Sequence, residues 1–247
     1  MSKEKKNRVV PQLRFPEFSK IESWEQTTIS DLLDYERPDN YIVSDTNYQK
    51  SGIPVLTANK SFILGYTSEE DGIYENIPAI IFDDFTVDKK FVDFPFKVKS
   101  SAIKILKAKE GNNLRFIFDL ISQIKFEAKE HKRYYISAYQ NLAVNIPKPA
   151  EQQKIASCLS SLDDLITAHT QKLDALKTHK KGLMQQLFPA EGEKVPKLRF
   201  KEFEGSGEWE GKKLGDEDVS LFVNKKFSGK LTIENYISTE NILPDCG

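Results

Sequence analysis

A short motif that occurs twice in the chain is the feature that most limits how the chain can fold. Residues 10–18 read VPQLRFPEF and residues 195–203 read VPKLRFKEF, so the two copies lie 185 residues apart. The same offset carries Trp24–Glu25 onto Trp209–Glu210 and Asp31 onto Asp216. A correspondence that stays in register over more than 20 residues indicates a structural unit that is repeated along the chain.

The two copies differ in how much sequence follows them. The first opens a long stretch of mixed pattern, whereas 38 residues follow Trp209. We interpret the Trp and Phe residues of the motif as core residues that pack the opening strand of a domain, and a docking motif used twice is the alternative. We therefore expect one complete unit (10–148), a connector (149–189) and an incomplete repeat of the opening segment (190–247).

Residues 10–148 have the pattern of a mixed α/β domain. Runs rich in β-branched and aromatic residues, broken by Gly, Pro, Asn and Asp, predict short strands and turns over 10–110. Apolar residues at 114, 117, 118, 121 and 124 have helical spacing and predict a helix over 113–131. Residues 134–146 return to strand or loop, and the polar residues 1–9 predict a mobile tail. The predicted fold class is α+β.

The connector is predicted to be one long helix with a heptad stripe. Prolines at 147 and 149 permit a helix start, and Phe188-Pro189 ends it. Such a helix would be about 58 Å long, and it cannot bury a single apolar stripe by itself. It therefore needs a partner helix, from a second copy or from another protein. The two polar stripe positions either fix the register or lie at its edge. The predicted partner contacts are Ile155, Leu159, Leu162, Ile166, His169, Leu173, Leu176, Lys180, Leu183 and Leu187.

Two segments of the connector and the two motif copies together resemble the specificity (S) subunits of type I restriction–modification systems. The segments are Pro147–Ala156 (PKPAEQQKIA) and Gly182–Pro189 (GLMQQLFP). In that family, two target-recognition domains are separated and followed by two long helices, which pack antiparallel, and each domain reads one half of a split DNA site. The resemblance covers nearly all of the chain and implies a non-catalytic subunit, truncated after its first recognition domain and first long helix.

The resemblance also implies the partners of the chain. These are double-stranded DNA, methyltransferase (M) subunits and, indirectly, restriction (R) subunits. No cofactor is expected on this chain, whereas S-adenosylmethionine, ATP and Mg²⁺ are expected on the partner subunits. With one recognition domain and one long helix, two copies would form a homodimer on a palindromic split site. The alternatives are an inactive or regulatory fragment that binds the methyltransferase without reading DNA, and a stand-alone metal-dependent nuclease.

The nuclease alternative rests on Pro38-Asp39 and Asp88-Lys89-Lys90, which loosely fit an acidic–acidic–Lys pattern. We expect Asp83, Asp84 and Asp88 instead to lie in a turn around Phe85. The sequence has no P-loop and no nucleophile elbow, and its three histidines and two cysteines lack metal-ligand spacing, so we expect no catalytic residue and no metal site. Without a membrane-spanning run or a secretory signal, the expected location is cytoplasmic.

Contacts with DNA must come from local patches, because the net charge is −1. Residues 89–109 hold seven lysines against one acid, and residues 129–135 (KEHKRYY) mix basic and aromatic side chains. Lysines position a domain on phosphates, while planar donors such as Asn and Arg read bases. For each residue, a solvated surface charge is the alternative. The candidate DNA-binding residues are Asn59, Lys60, Lys89, Lys90, Lys97, Lys99, Lys132, Arg133, Tyr134 and Tyr135.

Overall fold

The computed structural model describes residues 10–21, 23–59, 61–216 and 219, and it divides the chain into two units, residues 1–170 and residues 171–247. The predicted tail (1–9) lies outside the described residues, as does nearly all of the chain after residue 216. The complete predicted unit (10–148) falls within the first unit, and the second copy of the motif falls within the second.

Three small sheets form in the first unit, because its β-branched and aromatic runs are short and are interrupted by turn-forming residues. The described strands are β1 (Glu25–Thr28), β2 (Leu33–Glu36), β3 (Ile53–Leu56), β4 (Ile63–Thr67), β5 (Ala79–Asp83), β6 (Lys89–Val92), β7 (Lys97–Val98), β8 (Ile103–Ala108) and β9 (Ala143–Ile146). An antiparallel sheet has the order β2-β8-β5-β6. A second sheet has the order β4-β3-β7, in which β3 and β7 are parallel. The third pairs β1 with β9, antiparallel.

The strand β5 is the centre of the hydrophobic core, and all five of its residues are buried. Because side chains alternate along a strand, Ile80 and Phe82 contribute to one hydrophobic cluster and Ala79 and Ile81 to another. The first cluster includes residues of the helices α1 (Ile29–Leu32) and α2 (Leu114–Ser122). The second includes residues of β3 and β7. The four-stranded sheet is therefore covered on both faces.

The helix α2 is shorter than predicted. It begins after Asn113, whose Oδ1 accepts a hydrogen bond from the Phe116 amide at 2.9 Å, and it ends at Ser122 rather than at residue 131. The segment after Ile124 is rich in charged residues and offers no apolar stripe for a helix to bury. Its one large apolar side chain, Phe126, packs its ring 5.3 Å from that of Tyr134. The prediction of a helix over 113–131 is thus wrong for its second half.

The long helix α3 (Pro149–Leu187) starts where the sequence predicts and ends two residues before the predicted boundary. Its first turn is anchored in the domain through two polar residues that are almost completely buried, Glu151 and Gln152. The Gln152 side chain accepts a hydrogen bond from the Asn113 amide at 3.0 Å and donates one to the Pro147 carbonyl at 3.0 Å. These bonds fix the direction in which the helix leaves the domain.

The second copy of the motif repeats local geometry of the first. In the first copy, the Thr28 amide donates to Asp31 Oδ2 at 3.1 Å and the Thr28 hydroxyl donates to the same oxygen at 2.6 Å. The hydroxyl bond first, and then the amide bond, holds the pKa of Asp31 below its usual value. In the second, the Lys213 amide donates to Asp216 Oδ2 at 2.8 Å. The offset of 185 residues relates the first pair to the second, so the repeat is present in the structure as well as in the sequence.

None of the described helices combines sufficient length with sufficient apolar character to span a bilayer.

Candidate nucleic-acid interface

A buried carboxylate, Asp84, joins two loops at the end of β5, a central strand of the four-stranded sheet. It directly follows β5 and is 1% exposed. Its Oδ1 accepts a hydrogen bond from the Tyr135 amide at 2.8 Å, and its backbone carbonyl accepts one from the Tyr134 amide at 2.8 Å. The Lys104 ammonium lies 3.5 Å from Asp84 Oδ2, which compensates for removing the charge from water. Asp84 therefore holds residues 129–137 against the turn at 83–88.

A third turn, residues 99–102, lies beside these two loops. The Asp84 amide donates to the Ala102 carbonyl at 2.8 Å, and Arg133 Nη1 donates to the Ser101 carbonyl at 3.4 Å. The Lys99 amide donates to the carbonyl of Leu56, the last residue before the β3–β4 turn, at 3.0 Å. These bonds bring four segments to one edge of the domain. We call this the loop edge, formed by residues 57–59 and 61–62, 83–88, 99–102 and 129–137.

Basic and aromatic side chains stack at the loop edge. The rings of Phe85 and His131 stack with centroids 4.7 Å apart and an angle of 11° between their planes. The Arg133 guanidinium lies 5.7 Å from the centre of the Phe85 ring, and the Arg133 side chain is 51% exposed. Lys132 pairs with Glu130 at 2.7 Å, and this hydrogen bond raises the pKa of Lys132. An exposed guanidinium supported by an aromatic ring is suited to planar contacts with bases or phosphates.

Most of the other predicted DNA-binding residues lie at or next to the loop edge. Asn59 is exposed in the β3–β4 turn, where its Oδ1 accepts a hydrogen bond from Thr57 Oγ1 at 3.0 Å, and Lys99 is exposed in the third turn. Lys89 and Lys90 are half-buried on β6. Burial lowers the pKa of Lys89, whose ammonium lies 5.5 Å from the Tyr139 ring. Lys60 lies outside the described residues.

Three predicted residues are buried, and the structure removes them from the candidate DNA contacts. Lys97 is 3% exposed, and its ammonium lies 2.8 Å from Glu69 Oε2 and donates to the Asp71 carbonyl at 2.6 Å. Tyr134 and Tyr135 belong to the first hydrophobic cluster and are 4% and 1% exposed. Their amides bind Asp84, about 50 residues away in the chain, which turns both rings into the core.

Phe85 is the residue that sequence reasoning placed in the correct turn but did not assign to the interface. The turn around it forms as predicted, with Asp83 Oδ1 accepting hydrogen bonds from the Phe85 and Thr86 amides at 2.9 Å each. A large aromatic residue within the otherwise polar run DDFTVD was the available signal. In such a turn an aromatic ring is accessible to stack on another planar group.

The apolar stripe of α3 is largely exposed. Leu162, Ile166, Leu173 and Leu176 are between 51% and 63% exposed, and the polar positions His169 and Lys180 are exposed as well. Leu159 is 38% exposed, whereas Ile155, Leu183 and Leu187 are half-buried. Two exposed residues outside the predicted stripe, Leu165 and Met184, widen the apolar surface. Apolar side chains exposed in this way along one helix are typical of an interaction site.

The acidic residues behind the nuclease alternative do not form one cluster. Asp39 lies in a single 3₁₀ turn (Asp39–Tyr41) and lines a cleft with Glu69 and Asp71, whereas Asp88 lies in the loop edge. Within the part of the chain that the structure describes, no group of three or more His, Cys, Asp or Glu side chains is placed to hold a metal ion.

Comparisons with known proteins agree with this architecture. The family described as "Type I restriction modification DNA specificity domain" matches residues 21–178. The EcoR124I/EcoR124II specificity subunit of Escherichia coli is 40% identical over 157 residues, 60% of this chain and 39% of that protein. The MjaVIII specificity subunit of Methanocaldococcus jannaschii is 25% identical over 185 residues, 68% of this chain and 42% of that protein.

A solved structure shares the fold. The type I restriction–modification S subunit from M. genitalium superimposes with a TM-score of 0.52 at 12% identity, covering 67% of this chain and 46% of that one. This chain spans about two fifths of the length of the two curated relatives, from Escherichia coli and Methanocaldococcus jannaschii. The family match extends over more than half of the chain, from β1 through most of α3. The chain belongs to the type I restriction–modification DNA specificity family.

Proposed function

We propose that this chain reads DNA sequence for a type I restriction–modification complex and acts as a homodimer on a palindromic split site. One observation carries the proposal. A single chain joins a domain that has a basic and aromatic loop edge to a helix whose apolar stripe is exposed. The domain would read one half-site, and the helix would join it to its counterpart.

The loop edge supports the DNA-reading part of the proposal. Arg133 and Asn59 carry planar donors, and Lys99 and Lys132 supply exposed positive charge for phosphates. Four segments that are distant in sequence are tied together there by hydrogen bonds to Asp84 and to the turn at 99–102. A rigid scaffold of this kind keeps the reading side chains in fixed positions, which sequence discrimination requires.

The helix α3 supports the dimeric part. Its first turn is locked to the domain through Glu151 and Gln152, so pairing of two helices would also fix the positions of two domains. In the antiparallel pairing that the family uses, a two-fold axis relates the two copies and makes the two half-sites inverted copies of each other. The polar stripe positions His169 and Lys180 would favour one register over others.

The same proposal covers the catalytic partners. This chain would act without catalysis of its own, directing methyltransferase subunits and, through them, restriction subunits to the site. S-adenosylmethionine, ATP and Mg²⁺ would bind to those subunits rather than to this chain.

Methylation mapping tests the proposal. The chain would be co-expressed with a type I methyltransferase subunit from the same genome, and methylated positions would be mapped across genomic DNA. We expect one motif made of two inverted half-sites separated by a spacer of constant length. Absence of any motif would support the fragment that binds methyltransferase without reading DNA, and DNA cleavage by the purified chain would support the nuclease.

A further inference from the structure

Arg133 at the loop edge is held by three contacts that leave one side of its guanidinium unused. Its Nη1 donates to the Ser101 carbonyl at 3.4 Å and lies 3.8 Å from Asp84 Oδ2. The guanidinium also lies 5.7 Å from the centre of the Phe85 ring. In the described segments, no group accepts a hydrogen bond from Arg133 Nε or Nη2. None of the three contacts therefore uses the edge formed by Nε and Nη2.

The edge formed by Nε and Nη2 is a fork that binds two acceptors at once. Arg14 shows this use of the fork, because its Nε donates to Glu151 Oε1 at 2.8 Å and its Nη2 donates to Glu151 Oε2 at 2.7 Å. The side chains of Arg14 and Glu151 are 6% and 2% exposed, so that fork is committed to the interior. The Arg133 side chain is 51% exposed, and the same edge is therefore open to a molecule from solution.

The two side chains that support Arg133 are themselves fixed. Asp84 is 1% exposed, and its Oδ1 accepts a hydrogen bond from the Tyr135 amide at 2.8 Å. The Phe85 ring stacks on the His131 ring with centroids 4.7 Å apart. Because both supports are fixed, the free fork of Arg133 has a defined direction, which recognition of a planar pair of acceptors requires.

Two adjacent donors match the edge of one base. In the major groove, guanine presents O6 and N7 as two neighbouring acceptors, whereas adenine presents an acceptor beside a donor, thymine an acceptor beside a methyl group, and cytosine a donor. A phosphate also offers two acceptor oxygens, but a mobile cation such as the exposed Lys99 can bind it without a fixed direction. A fork held in one direction therefore favours guanine.

We infer that Arg133 determines sequence specificity by binding O6 and N7 of one guanine in the major groove, and that Asp84 and Phe85 are its positioning residues. The inference rests on the DNA-reading part of the proposed function, and it holds whether or not the chain forms a homodimer. It assigns to this domain one position of its half-site and the base at that position.

Selection from a library of random DNA duplexes tests the inference. The chain, in complex with a methyltransferase subunit from the same genome, is mixed with the library, and the retained DNA is sequenced. We expect the parent to prefer guanine at one position of its motif by at least about 10-fold, and Arg133→Gln to reduce that preference to no more than about 2-fold. Arg133→Met, which has no donor, should lose the same preference. Both variants should keep the preferences of the parent at the other positions, which shows that they are folded.

Lys99→Gln is the matched control, because Lys99 is an exposed cation of the loop edge without a planar fork. It should lower the retention of all sequences alike and leave every base preference unchanged. A second measurement replaces the selected guanine with an analogue that carries C–H in place of N7. Fluorescence anisotropy should show affinity for the parent complex at least about 5-fold weaker, and affinity for the Arg133→Met complex unchanged.

The outcomes separate this inference from the proposed function. If the parent selects a motif and Arg133→Gln keeps every base preference, the inference is overturned and the DNA-reading function stands. Retention that falls equally for all sequences in Arg133→Gln would identify a phosphate contact and would also overturn it. A parent complex that selects no motif would overturn the DNA-reading function, and the inference with it.

Discussion

The domain of residues 10–148 and the helix α3 contain the same kinds of apolar side chain but place them in opposite environments. Ile80 and Phe82 of β5 are completely buried, whereas Ile166 and Leu173 of α3 are 63% and 52% exposed. The domain completes its own core because its strand β5 is covered on both faces. A single helix has no second layer to cover its stripe. The contrast separates a part of the molecule that buries its apolar side chains within itself from a part whose apolar side chains stay exposed in the single chain, as the proposed dimer requires.

The largest effect is expected in the core. Phe82→Ala removes a ring that packs 4.8 Å from Tyr139 and 5.3 Å from Tyr135, and it should destabilise the domain by about 3–5 kcal/mol. Chemical denaturation followed by circular dichroism measures this. Leu173→Ala on α3 is the matched control and should change the free energy of unfolding of the monomer by less than about 0.5 kcal/mol. Equal effects of both substitutions on the free energy of unfolding would contradict the difference between a buried core and an exposed helix stripe.

The next effect concerns the stripe itself. Replacing both Leu173 and Leu176 with alanine should weaken self-association at least about 100-fold, because each buried leucine contributes about 1.5–3 kcal/mol to an apolar interface. The melting temperature of the diluted chain should stay the same. Light scattering over a dilution series gives the dissociation constant. Gln171→Ala, an exposed polar position on the same helix, is the control, and a double variant that associates like the parent would show that the stripe is not the interface.

A smaller effect is expected at the junction between the two regions. Glu151→Gln loses the charge of a shielded pair with Arg14 and should lower the melting temperature by about 5 °C. Glu17→Gln removes an exposed partner of Lys154 and should shift it by no more than about 1 °C. Differential scanning calorimetry compares the two variants. If they have the same melting temperature, the helix start is not held as described.

The smallest effect is expected at the loop edge. Arg133→Gln should lower affinity for the mapped site about 10-fold, since one base or phosphate contact by arginine contributes on the order of 1–3 kcal/mol. Lys50→Gln is the control, because Lys50 is exposed and precedes β3, at the end opposite the β3–β4 turn. Fluorescence anisotropy with labelled DNA and the methyltransferase complex measures both. Unchanged affinity of the Arg133→Gln variant would show that the DNA-binding surface lies elsewhere on the chain.

Local patterns in the sequence were sufficient for the parts of the structure that depend on local rules. The start of α3 follows from prolines at 147 and 149, its end from Phe188-Pro189, and the turn around Phe85 from its aspartates. The motif repeat paired Asp31 with Asp216, and each of them accepts a hydrogen bond from the amide three residues before it. In each case the deciding interactions lie within a few residues of one another.

Contacts between distant residues decided what the sequence could not predict. Tyr134 and Tyr135 sit in a basic run that is typical of a nucleic-acid surface, yet hydrogen bonds to Asp84 place them in the core. Lys97 lies in the same lysine-rich stretch of sequence as Lys99, but Glu69 and the Asp71 carbonyl bind its ammonium. Partners 26 to 51 residues away leave no periodic signal in the sequence.

The mass of the chain in solution tests whether two copies associate as proposed. Multi-angle light scattering would be measured over a range of concentrations, on the purified chain and on its complex with the methyltransferase subunit. We predict twice the chain mass of 28.3 kDa for the purified chain and two copies of the chain in the complex. A mass of 28.3 kDa at every concentration, together with one copy in the complex, would contradict it.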